Sequence, residues 1–130
     1  MGNAIIEFIE LFQNRLSDIL FKEANNERYM YLYDTGSYWM AFERSAYMLS
    51  RLYANALLLP MKIPYIPYPI ITASIEQARL HTIINGLVCK KRTIKERIYV
   101  TDKMNNVLSY NKCHDRETEV LRTLPSTSIC

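Results

Sequence analysis

The strongest constraint on the fold of this chain is a cluster of prolines near its middle. Four of the five prolines fall within residues 60–69, at Pro60, Pro64, Pro67 and Pro69. Proline fixes φ and has no backbone N–H, so it breaks helices and is excluded from the centre of a sheet. Residues 60–69 are therefore expected to form a loop or an edge strand, with the regular elements on either side.

The residues before the prolines predict a helix, a β-hairpin and a second helix. Apolar residues recur at spacings of three and four from Ile5 to Leu20, which is the pattern of an amphipathic helix. Aromatic alternation over Arg28–Tyr33, turn residues at Asp34–Ser37 and the apolar stretch Tyr38–Ala41 predict two strands joined by a turn. The helical spacing returns over Phe42–Asn55, where we expect the second helix.

The remaining sequence predicts three short strands and one more helix. Leu57–Leu59 has the composition of a short buried strand. Ser74-x-x-Gln77 has the spacing of a capping box, so a third helix is expected to begin there and to end at Gly86. Leu87–Cys89 and Ile94–Val100 are typical of strands, and a turn at Lys91–Thr93 would pair them.

The order of these elements predicts an α/β (α+β) fold, with a small mixed β-sheet flanked by about three helices. A chain of 130 residues accommodates one domain. We expect this domain to span residues 1–108. Residues 109–130 are expected to form a flexible C-terminal tail with one helical turn near Glu117–Leu121, because the apolar periodicity fades after Met104.

The positive charge of the chain is concentrated in one segment. The net charge is +3, and residues 90–103 hold six basic and two acidic side chains. Cations beside strands either protect an exposed sheet edge or contact the phosphate groups of a nucleic acid, and both interpretations remain open here. We call this stretch the basic segment; its cations are Lys90, Lys91, Arg92, Lys95, Arg97 and Lys103.

The cysteines and the hydropathy pattern indicate a cytoplasmic protein without a membrane partner. Cys89, Cys113 and Cys130 form an odd number without C-x-x-C spacing, which argues against a disulfide framework. No stretch is long and apolar enough to predict a transmembrane helix, and the first residues lack the basic region of a signal peptide.

Motifs of enzymes and metal sites are missing from the sequence. It contains no H-E-x-x-H, G-x-S-x-G, G-x-G-x-x-G or Walker A spacing and no zinc-type Cys/His cluster. Cys89 and His81 would serve as nucleophile and base only if the fold brought them together, and a buried thiol and a helical histidine explain them more simply. We therefore expect no enzyme activity, no catalytic residues, no metal and no cofactor.

The hairpin carries a pattern that resembles a known family. The block Gly36–Ala46 is similar to the signature that opens the N-terminal mismatch-recognition domain of MutS-type DNA mismatch-repair proteins. That signature runs Gly-Asp-Phe-Tyr-Glu, an apolar residue, Phe and then a helix. In this sequence Gly36, Tyr38, Trp39 and Phe42 match it without a gap, together with Ala46. Downstream, Ile66–Tyr68, the predicted helix and Gly86–Val88 resemble the family's succession of elements, so the likeness covers about residues 28–90.

The resemblance implies a mixed sheet flanked by helices and a contact with DNA. In that family the Phe stacks on a mispaired base and the Glu hydrogen-bonds it, so Tyr38 would be the stacking residue here. Met40 stands in the place of the Glu and Ser37 in the place of the Asp, and a thioether cannot supply the charge-assisted hydrogen bond. The clamp, lever and ATPase regions of MutS-type proteins have no counterpart in these 130 residues, so mismatch repair itself is not implied.

The two functional hypotheses share this fold. In the first, the chain is a non-enzymatic module that binds DNA weakly, with stacking aromatics and phosphate-contacting cations. In the second, its aromatic and proline-rich surface packs on a protein partner or on a second copy of the chain, because aromatic side chains are also ordinary components of cores and interfaces. The residues predicted to bind nucleic acid are Tyr38, Trp39, Lys90, Lys91, Arg92, Lys95 and Arg97.

Overall fold

The computed structural model describes residues 9–101 and 107–123. Its centre is a six-stranded sheet in the order β3-β4-β2-β1-β6-β5, and every pair of neighbouring strands is antiparallel. The α/β (α+β) class is therefore confirmed, although the sheet is antiparallel throughout and not mixed. The strands are β1 (Tyr29–Asp34), β2 (Tyr38–Phe42), β3 (Leu59–Met61), β4 (Ile70–Glu76), β5 (Val88–Arg92) and β6 (Glu96–Val100).

Within the described ranges, four α-helices accompany the sheet. The first, α1 (Leu16–Ala24), continues a π-helical segment at Leu11–Arg15, and α2 (Glu43–Leu52) follows β2 directly. A 3₁₀ turn leads into the short α3 (Leu80–Ile83), and α4 (Val107–Thr123) closes the described chain. No helix in the described ranges is long and apolar enough to cross a bilayer.

The sheet buries both of its faces. On the α2 face, side chains such as Leu32, Trp39 and Ile75 pack against α2 and α4. On the α1 face, Tyr33, Met40 and other side chains pack against the N-terminal helical residues. Because successive strand residues point to opposite faces, cross-strand register assigns every strand side chain to one of these two faces.

The predicted hairpins and the second helix are confirmed. β1 pairs with β2, and β5 pairs with β6 around residues 93–95, close to the predicted turn. Pro60 lies in β3, a three-residue edge strand, as the proline rule required. Leu59 in that strand and Leu57 before it are exposed, however, so the buried strand predicted at Leu57–Leu59 is wrong.

Residues 70–76 form a central strand, whereas the capping-box spacing predicted a helix from Ser74. β4 lies between β2 and β3, with Ile71 and Ile75 buried on the α2 face and Ile70 on the α1 face. This burial on both faces outweighs the local capping signal. The Gln77 side chain instead donates a hydrogen bond of 2.7 Å to Asp34 Oδ1.

Residues 109–123, expected to belong to a flexible tail, lie in α4. Tyr110, Cys113 and Thr118 are buried, and the Tyr110 hydroxyl donates a 3.0 Å hydrogen bond to Glu43 Oε2. The inward side of the helix is therefore partly polar, which explains why apolar periodicity did not reveal it. The rest of the predicted tail, residues 124–130, lies outside the described residues.

Candidate functional site

An open apolar groove lies on the α1 face of the sheet. Its volume is about 830 Å³, within the range typical of ligand sites. Tyr38, Leu57 and Leu59 are exposed in its wall, with 47%, 78% and 56% of their surface accessible. We call it the Tyr38 groove; the described residues that line it, all uncharged, are Thr35, Ser37, Tyr38, Met40, Leu57, Leu58, Leu59, Met61, Thr72, Ala73 and Ser74.

The strands that form the groove explain why its wall is apolar. Tyr38 and Met40 are two residues apart on β2 and therefore point to the same face. Across the strand pair, Met40 lies opposite Ser74, and on the far side of β4 Thr72 lies opposite Leu59. Tyr38 is one of the predicted site residues. The β4 side of the groove was not predicted, because the capping-box spacing indicated a helix from Ser74 onwards.

Trp39 does not share the groove with Tyr38. It points to the α2 face and retains 5% of its accessible surface. The Cζ atom of Arg97 lies 4.5 Å from the centre of the indole ring and covers it. The two aromatic residues predicted to stack on bases therefore lie on opposite faces of the sheet.

The cations of the basic segment are also divided between the faces. Three of them lie on the α1 side: Lys90 Nζ is 4.1 Å from the ring centre of Tyr29, Lys91 Nζ is 3.8 Å from Glu96, and Lys95 Nζ is 3.8 Å from Glu10. Glu96 additionally pairs with Arg15 from the π-helical segment. Arg92 and Arg97 lie directly opposite each other in the β5–β6 register, on the α2 face. The seven predicted residues are thus not brought onto one surface.

A buried carboxyl group joins α1 to the beginning of α2. Glu23 retains 1% of its accessible surface. It accepts hydrogen bonds from the Ser45 N–H (3.0 Å), the Ser45 hydroxyl (2.5 Å) and the Asn26 amide (3.3 Å). Burial raises the pKa of Glu23 from 4.5 to about 7, against the smaller opposing effects of these hydrogen bonds.

Glu43, the first residue of α2, links three elements through its carboxylate. Its oxygens accept hydrogen bonds from the Ile71 N–H (2.9 Å) and the Tyr110 hydroxyl (3.0 Å), and His114 Nε2 lies 3.0 Å away. Burial, followed by the charge of Glu43, raises the pKa of the Tyr110 hydroxyl. Glu43 also adopts a φ of 51°, the left-handed conformation that non-glycine residues rarely occupy. Sequence spacing gave no sign of this cluster, because its members lie far apart in the chain.

The structure gives His81 and Cys89 separate surroundings. His81 is exposed on α3, and the exposed Cys89 thiol contacts the Lys91 carbonyl at 3.5 Å. Within residues 9–101 and 107–123, no group of three His, Cys, Asp or Glu side chains is arranged to hold a metal ion.

Comparison with protein-family profiles, with curated proteins and with solved structures gave no match to this chain. Functional interpretation therefore depends on the groove, the distribution of charge and the motif resemblance.

Proposed function

We propose that this chain is a non-enzymatic binding module whose Tyr38 groove binds an apolar segment of a partner protein. The observation that carries the proposal is the lining of the groove, since all eleven residues are uncharged and most of the wall is aliphatic, thioether or aromatic. Exclusion of water from such a wall by matching side chains lowers the free energy of the complex. Met40 and Met61 add an adaptable surface, and the Tyr38 ring offers a large contact area at its rim.

A peptide-display selection against the full chain tests this function. We expect the selected peptides to carry aliphatic or aromatic residues, and their affinity to fall at least about tenfold in Leu59→Glu, which places a charge on the groove wall. Phe21→Glu is the matched control, because Phe21 is 75% exposed on α1 and does not line the groove. Equal losses of peptide affinity in Leu59→Glu and Phe21→Glu would contradict the proposal. So would a selection in which no peptide loses affinity when Leu59 is replaced.

Nucleic acid is the second candidate ligand. It is favoured by the position of the MutS-like motif residues in the groove. Tyr38 and Met40 stand where MutS-type proteins carry the stacking Phe and the hydrogen-bonding Glu, and both side chains line the same groove. In this candidate Tyr38 stacks on a base of a DNA strand while Lys91 and Lys95 contact its phosphates. The turn that holds Lys95 adjoins the β1–β2 hairpin, where the Asp34 N–H donates to the Lys95 carbonyl at 2.9 Å. The candidate ranks second because no cation is among the described residues that line the groove.

A single variant separates the two candidates. Met40→Glu restores the acidic residue of the MutS-type signature and also places a carboxylate in the apolar groove, at a position that retains 5% of its accessible surface, so circular dichroism first establishes that the variant is folded. If the ligand is an apolar peptide, this variant abolishes its binding; if the ligand is DNA, it retains binding and shifts preference towards mismatched duplexes. Anisotropy of labelled matched, mismatched and single-stranded DNA at low salt, with Tyr38→Ala alongside, measures the second outcome, and binding that does not weaken with salt would exclude it.

A further inference from the structure

We propose that Arg92 and Arg97 form a phosphate-binding site on the α2 face of the β5–β6 hairpin, beside Trp39. The two arginines are cross-strand partners, which places their Cβ atoms about 5 Å apart. Two like charges in this position repel each other when no anion lies between them. A phosphate group, which carries more than one negative charge as a monoester, removes this repulsion.

The charge balance of the basic segment singles out this pair. Lys91 and Lys95 have carboxylate partners and Lys90 lies over the Tyr29 ring, all on the α1 side. In the part of the chain that the structure describes, neither Arg92 nor Arg97 lies within 4.0 Å of a carboxylate oxygen. On the α2 side of the hairpin, the charges of these two guanidinium groups therefore have no carboxylate partner among the described residues.

The Arg97 side chain is held in place without a ligand. Its Nη1 atom donates hydrogen bonds to the Thr93 carbonyl and, at 3.1 Å, to the Glu96 carbonyl. The guanidinium also lies over the Trp39 ring, which is fixed in the core. Guanidinium has five N–H donors, so its other edge keeps donors for the paired contact that arginine makes with a phosphate.

The hydroxyl of Tyr99 lies on the same face of the sheet as the two guanidinium groups. Burial, followed by the nearby Cys89, raises the pKa of its hydroxyl, whereas Arg97 and Arg92 both lower it. Both positive charges thus act on the same hydroxyl on the α2 face. This site lies on the opposite face from the Tyr38 groove, so it does not depend on which ligand the groove binds.

Trp39 is the only tryptophan in the chain and serves as the reporter for this site. The experiment titrates the full chain with inorganic phosphate and, separately, with a short thymidine oligonucleotide, while Trp39 fluorescence and the heat of binding are recorded at constant ionic strength. We expect a saturable change with at least one of the two. Saturation by phosphate alone identifies a free phosphate group as the ligand, and tighter binding of the oligonucleotide identifies a nucleic-acid strand.

Three variants distinguish a defined site from diffuse charge. Arg92→Gln, at an exposed position, is expected to weaken binding at least about tenfold, and Arg97→Lys to weaken it although the charge is kept. Lys22→Gln is the matched control, since it removes the same charge from an exposed position of α1, on the opposite face of the sheet, and it should leave the affinity unchanged. Equal losses of affinity in Arg92→Gln and Lys22→Gln, or no saturable signal with either ligand by fluorescence or calorimetry, would overturn the proposal.

Discussion

Glu23 is a carboxyl group in the protein interior, and its environment makes the stability of the fold depend on pH. Its pKa lies near 7 in the folded chain and near 4.5 when it is exposed to water. Between these values the folded chain retains a proton that the unfolded chain has lost. The free energy of unfolding therefore falls by about 3 kcal/mol as the pH rises through this window, and the contribution is fully present only below it.

Replacing Glu23 by Gln is expected to remove this dependence. The amide keeps an oxygen that accepts the hydrogen bond from the Ser45 N–H, which caps the first turn of α2, but has no proton to lose. Urea denaturation at pH about 4 and about 8 should show Glu23→Gln gaining about 3 kcal/mol relative to the parent chain over that interval. Glu27→Gln, at an exposed position nearby, is the control and should keep the parental pH dependence. The same pH dependence of the free energy of unfolding in Glu23→Gln and Glu27→Gln would contradict the assigned role of Glu23.

Tyr38 and Trp39 are adjacent in the chain but differ in what they contribute to stability. Trp39 is buried in the core of the α2 face, so Trp39→Ala should cost about 3–5 kcal/mol. Tyr38 is half-exposed at the rim of the groove, so Tyr38→Ala should cost less than about 1 kcal/mol. Denaturation monitored by circular dichroism measures the loss of stability in Trp39→Ala and in Tyr38→Ala. A larger loss for Tyr38→Ala than for Trp39→Ala would mean that the hairpin register is reversed.

Polar contacts at Glu43 contribute to holding α4 in place. Its Tyr110 hydroxyl and His114 ring both meet the Glu43 carboxylate, and the Arg44 guanidinium lies 5.5 Å from the Tyr110 ring centre. Glu43 keeps a left-handed φ that costs about 1–2 kcal/mol. The three partners of its side chain offset that cost and fix α4 against α2 and β4.

Removing one of these contacts should loosen α4 selectively. Tyr110→Phe leaves Glu43 Oε2 without the hydroxyl donor and is expected to destabilise the chain by about 1–2 kcal/mol. Hydrogen exchange of the α4 amides should accelerate, while the amides of the β1–β2 hairpin remain protected. Lys112→Ala, at an exposed position of the same helix, should change neither the stability of the chain nor the hydrogen exchange of the α4 amides. Uniform acceleration across the sheet would show that α4 does not open separately.

At the scale of the whole molecule, both edges of the sheet are protected against pairing with another chain. β3 is three residues long and contains Pro60, which lacks a donor. β5 is fully exposed and carries three consecutive cations, with a register shift between Cys89 and Lys91. Charges and irregularities of this kind prevent edge-to-edge association in natural sheets.

Neutralising the β5 edge is therefore expected to cause self-association. The double variant Lys90→Thr, Lys91→Thr keeps strand-forming residues but removes two charges, so a second copy meets an uncharged edge. Light scattering after size-exclusion chromatography should show a mass that increases with concentration, whereas Lys90→Arg, Lys91→Arg should elute like the parent chain. A double Thr variant that behaves as the parent chain does would show that charge is not what protects this edge.

The first hairpin, α2 and the edge strand β3 follow from local sequence signals. Alternation of aromatic residues and the turn at Asp34–Ser37 specify the first hairpin, helical spacing specifies α2, and proline chemistry confines residues 60–69 to a loop and an edge strand. Each of these signals acts within a few residues of backbone, so it does not depend on what the rest of the chain does.

Tertiary structure decided the features that depend on distant partners. Ile70–Glu76 became a central strand because β2 and β3 flank it, and α4 formed where the inward residues are Tyr110, Cys113 and Thr118. The hairpin register decided that Tyr38 faces the groove and Trp39 the core, since a slip of one residue exchanges the two faces. The same alternation along β5 and β6 separated Arg92 and Arg97 from the paired lysines of the basic segment. Sequence therefore determined which side chains are available, and strand pairing determined which of them meet on one face.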